Sequence, residues 1–279
     1  MVHGPARLTV ETIDDILERV LVQQEASVDL RDVRSIDPCA LLLLNLLVLE
    51  ARERRIAVRF DWPQRADVRA WMRGMGFFEQ VGSSIASPTN AAGGTLQPIA
   101  EIDDEAGIGR VVDGFHRRLA ERYPLTESSR RTLIAILIEL FQNIPHHSNA
   151  TGAVDDPHGL AAMQDDDGAI TVAIADKGIG LCGSLGLRPG YEGISDAGAL
   201  DAILRDGISR FADAGRGGEL QRIVGVVRSW DGEFVLRSGS ARLYFDERGG
   251  DIVDVPAFPG VQLAIRIPLR HFDVGPVDP

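Results

Sequence analysis

One segment near the middle of the chain predicts a helix whose two faces differ, and this contrast constrains the fold more than any other feature. Glu139, Asn143 and His147 follow one another at intervals of four residues, so on a helix their side chains lie within an arc of about 80°. Leu137 and Phe141 point roughly the other way. The helix is therefore expected to pack its apolar face on a core and to present a carboxylate, an amide and an imidazole together on the other face.

A strand that ends in an acid and two glycines follows later in the chain. Residues 170–175 alternate as Ile-Thr-Val-Ala-Ile-Ala and run directly into Asp176, with Gly178 and Gly180 just beyond. Because glycine adopts positive φ and lets a ring approach the backbone closely, this turn suits a bound planar group. Together, the helix face and the strand end provide groups that can hold a metal ion, a nucleophilic water and a purine.

The chain divides at a segment of small, turn-forming residues. Residues 82–95 read Gly-Ser-Ser-Ile-Ala-Ser-Pro-Thr-Asn-Ala-Ala-Gly-Gly-Thr without periodicity, which is typical of a linker. We therefore predict a first domain over residues 1–81 and a second over 96–279. The first domain alternates strand and helix patterns, which predicts a small α/β layer. Its strands are expected at 8–10, 28–30 and 56–60, and its helices at 13–23, 39–54 and 66–72.

The second domain also mixes helices and strands. A clear amphipathic helix carries Leu220, Ile223, Val224 and Val227 on one face. Residues 181–216 are rich in glycine around a short helix at 197–211, which predicts a mobile lid over a binding site. Longer helices are expected at 105–122 and 127–147, and strands at 96–99, 170–175, 233–237, 241–246 and 261–268.

Composition and charge exclude several classes of function. The formal net charge is −12, from 41 acidic against 29 basic residues, which argues against binding to nucleic-acid phosphates. No apolar run approaches the ~20 residues of a membrane span, and the N-terminus lacks the apolar stretch of a secretion signal. The two cysteines are too few for a disulfide framework. We therefore expect a cytoplasmic protein with no membrane partner.

Four segments of the second domain, taken in order over residues 96–268, resemble the motifs of the histidine-kinase-like ATPase superfamily (GHKL). This superfamily includes gyrase, heat-shock chaperones, mismatch-repair ATPases and sensor kinases. Its N box reads Glu-x-x-x-Asn, and its first glycine box reads Asp-x-Gly-x-Gly. The resemblance implies a two-layer α/β sandwich of the Bergerat type. The matching segments are Glu139 with Asn143, Asp176 with Gly178 and Gly180, the glycine-rich helix entry at 215–224, and the strand Gly-Val-Gln-Leu-Ala-Ile-Arg-Ile-Pro at 260–268.

The resemblance also implies ATP and Mg²⁺ as cofactors. It assigns Mg²⁺ to Asn143, whose amide oxygen suits a hard cation that keeps its waters and phosphate ligands. Glu139 would accept a proton from the water that attacks the γ-phosphate. Asp176 would accept a hydrogen bond from the adenine amino group, and Gly178 and Gly180 would let the ring approach. The phosphates would bind at a helix N-terminus formed by Gly215, Gly217 and Gly218.

Three residues depart from the family pattern. Pro145 lies inside the N box, and because proline costs about 3 kcal/mol in a helix interior, the helix is expected to kink or end there. Glu219 stands near the phosphates, where its carboxylate would repel a triphosphate, and Arg216 or Arg222 would offset it. Val261 replaces the usual threonine of the last strand. These departures bear on nucleotide affinity and turnover more than on the fold.

The first domain is similar to the STAS domain of anti-sigma antagonists. In that family a strand leads to Asp-Ser-Ser-Gly-Leu at a helix start, and a serine is phosphorylated by a GHKL partner. Here the chain reads Asp37-Pro38-Cys39-Ala40 instead. Because the acceptor serine is missing, we interpret this STAS-like domain as a docking or dimerising module that serine phosphorylation does not switch. Cys39 is interpreted as a small buried residue rather than a nucleophile.

These patterns predict a bacterial regulatory protein that binds ATP and Mg²⁺. Nucleotide would order the 181–216 lid and change the surface offered to a protein partner that the sequence does not identify. Glu139 makes slow hydrolysis chemically feasible, and a homodimer is left open. Two alternatives stay open as well: a protein kinase of the serine or histidine type, and a non-catalytic scaffold with a degenerate nucleotide site. The two-helix hairpin of a sensor histidine kinase is not visible.

Overall fold

A computed structural model describes residues 1–24, 27–82, 95–102, 104–123, 125–147, 159–166, 168–209, 218–246 and 249–271. Up to residue 82 its elements are β1 (Val2–His3), β2 (Arg7–Leu8), α1 (Asp14–Leu21), β3 (Ser27–Asp29), β4 (Ser35–Ile36), α2 (Pro38–Glu53), β5 (Arg59–Asp61), α3 (Ala66–Gly74) and α4 (Phe77–Gln80). From residue 95 they are β6 (Thr95–Glu101), α5 (Glu105–Arg122), α6 (Glu127–His147), β7 (Leu160–Asp166), β8 (Ala169–Ala175), α7 (Gly180–Leu185), α8 (Asp196–Arg205), α9 (Glu219–Ser229), β9 (Glu233–Asp246), β10 (Gly249–Pro268) and a 3-10 turn, Leu269–His271.

The largest sheet has five strands in the order β6-β7-β8-β10-β9, and every neighbouring pair is antiparallel. The last residue of the central strand, Ala175, lies opposite Leu160 of β7 and Gln262 of β10. In the N-terminal part, β1, β3 and β5 form a parallel sheet, and β2 pairs with β4. The protein is therefore a mixed α/β structure with several sheets, which confirms the predicted class at this level.

Alternating side chains on β8 build a core on each face of the five-stranded sheet. Ile170, Val172 and Ile174 belong to a core that includes the apolar sides of α5, α6 and α9. Ala173 and Ala175 belong to the opposite core, which α1 and α2 complete. Successive residues of a strand point to opposite faces, so one short segment supports both cores. Helices thus cover both faces of the sheet, and the N-terminal part supplies one of these layers.

Helix α2 is buried on nearly all sides because it lies against the large sheet within the N-terminal core. The carboxylate of Asp37 caps its start by accepting a hydrogen bond from the Ala40 N–H at 2.7 Å. Pro38 follows in the first turn, where the helix needs no N–H from it. On the sheet, the residues of this core include Ala162 and Ala173, whose small side chains allow a close approach of the helix.

The structure confirms the two long helices and corrects one expectation about them. The helices α5 and α6 occupy the predicted ranges 105–122 and 127–147. Because α6 continues to His147, Pro145 does not end the helix. The two strand patterns at 233–237 and 241–246 belong to a single long strand, β9.

Residues 83–94 of the predicted linker lie outside the described residues, and Thr95 already begins β6. Among the helices in the described part of the chain, none is long and apolar enough to cross a membrane.

Candidate functional site

A cleft opens where the five-stranded sheet meets α6, α7, α8 and α9. It holds about 950 Å³ of unfilled space counted out to its open mouth, a figure that includes open solvent. Its apolar lining comes from Ile174, Leu236 and Leu263 of the sheet, together with leucines and isoleucines of the surrounding helices. Its polar side chains belong to Asn143, Asp176, Ser184, Ser209 and Glu219.

Asp176 follows the last residue of β8 and lies at the buried end of the cleft, where it is 5% exposed. Its backbone N–H donates to the carbonyl of Val261 at 2.9 Å, and its Oδ1 accepts the Gly178 N–H at 2.7 Å. Burial raises the pKa of its carboxyl to about 7, against the lowering effect of the Gly178 and Val261 backbone hydrogen bonds. A carboxyl group in this setting can accept a hydrogen bond from an amino group of a ligand.

Glycines let the backbone come close to Asp176. Gly260 has φ of +79°, and a Cβ there would lie 2.0 Å from the carbonyl oxygen of Asp176. Gly180 has φ of +71°, and a Cβ there would lie 2.9 Å from Oγ of Ser238. In the sequence, Gly260 stands out only as the start of a strand motif. Its positive φ and its contact with Asp176 depend on how β10 pairs with β8, which the local sequence does not reveal.

A small hydrogen-bond network supports the turn after β8. Ser238 accepts the Leu181 N–H at 2.9 Å and donates to the Gly260 carbonyl at 3.2 Å. Gln262 Nε2 donates to the Asp176 carbonyl at 3.2 Å. Both Ser238 and Gln262 are buried. The network therefore ties β9 and β10 to the backbone of the turn that carries Asp176.

The predicted polar face of α6 is divided between two environments. Asn143 is exposed and lines the cleft, whereas Glu139 is not among the described residues that line it. The Glu139 carboxylate instead forms an ion pair with Arg222 of α9, and this contact raises the pKa of the Arg222 guanidinium. Glu139 is thus the direct partner of Arg222, and the charge of Glu219 raises the pKa of the same guanidinium further. His147 lies on α6, but its side chain is outside the described residues.

The beginning of α9 faces the cleft. Gly218 has a left-handed φ of +79° at the position before the helix, and both Gly218 and Glu219 line the cleft. A helix of this length presents free N–H groups at its start, which favour a negatively charged ligand. The Glu219 carboxylate opposes that preference. The other predicted phosphate-binding glycines, Gly215 and Gly217, lie outside the described residues, as does Arg216.

The described part of the predicted lid, residues 181–209, packs over the cleft. Leu181, Leu185 and Ile203 line the cleft from this side. Asp196 fixes α8 to the sheet, because its Oδ2 accepts both the N–H and the Oγ–H of Ser240 at 2.8 and 2.9 Å. The predicted mobility of the lid remains a prediction.

The donor set of the cleft can be compared with what a metal ion needs. In the described ranges, no group of three or more His, Cys, Asp and Glu side chains could hold a metal. A magnesium ion bound as expected takes most of its ligands from phosphates and water, so the Asn143 amide alone is a sufficient protein contribution. The residues present therefore fit Mg²⁺ only together with a phosphate-bearing ligand.

Cys39 is the second residue of α2. It is fully buried, and burial raises the pKa of its thiol well above the ordinary value. A buried neutral thiol is a poor nucleophile, so the structure confirms the interpretation of Cys39 as a small core residue.

Comparison with known proteins yields no assignment. No protein-family model matches the chain, and no curated protein is significantly similar to it. The geometry of the cleft and the order of its motifs are therefore the basis for a functional argument.

Proposed function

We propose that this chain is an ATP- and Mg²⁺-binding regulatory protein of the histidine-kinase-like type. One observation carries the proposal: Asn143, Asp176 with Gly180, and Gly218 come from three separate sequence motifs and line the same cleft. A long antiparallel sheet with α5, α6 and α9 on one face is compatible with the Bergerat sandwich. We also propose that the N-terminal part is a degenerate STAS-like unit.

The residues of the cleft suggest a role for each end of the nucleotide. The Asp176 carboxyl, buried among apolar side chains, would accept a hydrogen bond from the adenine amino group, and Ile174 and Leu263 would contact the ring. Asn143 and the start of α9 at Gly218 would face the phosphates. Bound Mg²⁺ would supply the positive charge that the phosphates need beside Glu219.

Regulation would act through the helices above the cleft. α7 and α8 contribute residues to the cleft lining, and the segment between them carries exposed residues such as Leu187 and Glu192. A ligand in the cleft binds more tightly to one arrangement of these helices than to another. It stabilises the preferred arrangement by the difference between its two binding free energies. The outer surface would then present a nucleotide-dependent face to a protein partner.

The arrangement of Glu139 favours binding over rapid turnover. Its carboxylate is engaged by Arg222, and the ion pair must open before Glu139 can accept a proton from water. Glu219 adds a negative charge where phosphate charge would develop. These two observations support the second candidate function, a nucleotide-binding scaffold without catalysis, more than they support a kinase.

Calorimetric titration with ATP, with and without Mg²⁺, tests the proposal. Wild-type protein is expected to bind ATP more tightly than GTP. The Asp176→Asn variant is expected to lose about tenfold or more in ATP affinity, because a hydrogen bond to a charged group contributes about 1.5–3 kcal/mol. Asn143→Ala is expected to remove most of the effect of Mg²⁺.

Two matched variants control these measurements. Asp166→Asn removes an exposed carboxylate at the opposite end of the β7–β8 pair, and Gln142→Ala shortens an exposed neighbour of Asn143 outside the cleft lining. Both are expected to bind ATP like wild type. Absence of heat with ATP in the wild type, or equal affinities for Asp176→Asn and Asp166→Asn, rejects the proposal.

Incubation with radiolabelled ATP separates the candidate activities. Label on a protein side chain indicates a kinase, and free phosphate indicates an ATPase. Binding that persists in Glu139→Ala, with no turnover in wild type, identifies a non-catalytic scaffold.

A further inference from the structure

Lys177, the only lysine in the chain, joins the turn after β8 to helix α2. Its side chain is 4% exposed, and its Nζ lies 2.6 Å from Oε2 of Glu53 and 2.9 Å from Oε2 of Glu50. Glu50 is also buried, and its Oε1 accepts a hydrogen bond from Arg54 Nε at 2.6 Å. The contact therefore spans the N-terminal layer and the turn that carries Asp176.

The charge on Glu50 depends on its two basic partners, Lys177 and Arg54. Burial acts to raise the pKa of Glu50, but hydrogen bonds from Lys177 and Arg54 outweigh it and leave the pKa below its usual value. Glu50 is therefore ionised at neutral pH. Removing one partner from a buried ion pair leaves an uncompensated charge, which is strongly unfavourable. The ion pairs therefore hold the Lys177 side chain against α2.

The residue before Lys177 lines the cleft, and the residue after it contacts that residue. Asp176 precedes it and lines the cleft, and the Gly178 N–H that follows it donates to Oδ1 of Asp176 at 2.7 Å. The Asp176 side chain lines the cleft, whereas the Lys177 side chain contacts α2, so the two point to different sides of the turn. Holding the Lys177 side chain on α2 therefore holds the Asp176 carboxyl towards the cleft and keeps the Gly178 N–H in place.

We propose that Lys177 is a positioning residue that couples helix α2 to the nucleotide cleft by fixing the orientation of the Asp176 carboxyl. This inference rests on the proposed nucleotide site. Coupling of this kind is reciprocal, so nucleotide in the cleft strengthens the contact of Lys177 with α2 as much as that contact strengthens nucleotide binding. The N-terminal layer then senses the state of the cleft without serine phosphorylation.

A pair of variants tests the coupling in the full-length protein. Lys177→Met combined with Glu50→Gln removes the buried ion pair without leaving a lone buried charge. Arg54→Met is the matched control, because Arg54 bonds the same Glu50 from a half-exposed position just after the end of α2. The double variant is expected to bind ATP about tenfold more weakly than wild type, and the control within about twofold.

The ¹³C chemical shift of the Asp176 carboxyl, followed by NMR across pH in protein without nucleotide, provides an independent readout. If the turn loses its anchor, the carboxyl gains contact with water and its pKa falls towards the ordinary value. The double variant removes one positive and one negative charge together, so the lost charges alone change the pKa little. The double variant is expected to show the fall, and Arg54→Met no change.

The outcomes separate this inference from the proposed function. Wild type that binds no ATP overturns the nucleotide proposal, while the carboxyl titration still decides the role of Lys177. An unchanged or raised Asp176 pKa in the double variant overturns the positioning role. Should the double variant fail to fold, Glu53→Gln replaces it, since Glu53 is 58% exposed. Glu53→Gln is expected to weaken ATP binding and to lower the Asp176 pKa, both by less than the double variant does. A wild-type affinity together with a wild-type pKa would overturn the inference.

Discussion

The buried carboxyl group of Asp176 links the stability of the protein to pH. Its pKa is about 7 in the folded state against an ordinary 3.8, so the folded state retains a proton that the unfolded chain loses as pH rises above 4. Stability from this group is complete below about pH 4 and is lost as pH rises through 7, by on the order of 4 kcal/mol. Asp176→Asn is expected to raise the melting temperature at pH 8 and to leave it nearly unchanged at pH 4.

Thermal unfolding of wild type and Asp176→Asn at both pH values measures this effect, with Asp166→Asn as the exposed control. An Asp176→Asn variant that is less stable than wild type at pH 8 would contradict it. The buried Asp176 carboxyl lowers the stability of the protein at neutral pH, and an asparagine at this position would not. A destabilising residue of this kind is typical of a binding site.

The same ionisation sets the pH dependence of nucleotide binding. The ionised carboxylate is the stronger hydrogen-bond acceptor for an amino group, so ATP affinity is expected to rise between pH 6 and pH 8. Calorimetry at several pH values measures this trend, and Asp176→Asn should lack it. Affinity that falls over this range would mean that Asp176 binds its ligand as a protonated donor.

Gly260 is expected to tolerate no side chain. A Cβ there would lie 2.0 Å from the Asp176 carbonyl oxygen, and φ is +79°. Gly260→Ala should lower the free energy of unfolding by about 2–4 kcal/mol, as measured in urea. Gly225→Ala is the control, because a Cβ at this position in α9 meets no described atom within 4 Å, and alanine should stabilise the helix by about 0.5–1 kcal/mol. Equal stabilities for the two variants would refute the steric argument.

At the scale of elements, the start of α2 depends on one side chain. The Asp37 carboxylate accepts the Ala40 N–H at 2.7 Å and the Val10 N–H at 3.0 Å. Asp37→Ala is expected to destabilise the protein by about 1–2 kcal/mol, whereas Asp37→Asn retains an acceptor and should lose much less. Urea unfolding at pH 8 distinguishes them. Because burial raises the pKa of Asp37 to about 6, the comparison belongs above that pH, where the wild-type group is ionised.

Element patterns in the sequence were reliable where the pattern was long and local. The ranges 105–122 and 127–147 match α5 and α6 because their apolar spacing extends over many turns. The strand β7 was missed because Leu-Ala-Ala-Met-Gln-Asp-Asp does not alternate; it is extended because β6 and β8 pair with it. Helix α7 was missed for a similar reason, since glycines at both its ends indicated only a loop.

For the candidate site, the motifs identified the residues, and tertiary packing decided their contacts. Asn143 and Asp176 line the cleft, as the motif order predicts. The ion pair of Glu139 with Arg222 joins residues far apart in sequence, and nothing in either local pattern indicates it. The same holds for Lys177, whose partners are in the N-terminal layer.

At the scale of the molecule, the second part of the chain is expected to depend on the first. A fragment of residues 96–279 would expose the sheet face around Ala173, Ala175 and Val235, which α1 and α2 cover in the full chain. It would also leave the buried Arg237 without its ion-pair partner Asp14. The fragment is expected to aggregate or to lack a folded core, as judged by size-exclusion chromatography and amide NMR.

Co-expression with residues 1–81 as a separate chain is expected to restore the folded state of that fragment. A monomeric, well-dispersed fragment on its own would show that the N-terminal layer is dispensable for folding.

Acylation of primary amines can measure how often the N-terminal layer separates from the five-stranded sheet. Lys177 provides the only side-chain amine in the protein, and it is enclosed between α2 and the sheet. An acylating ester can reach that nitrogen only when the layers part, so the acylation rate at this single position reports how often they do. A slow rate in water that rises in dilute urea would record the first step by which the molecule comes apart.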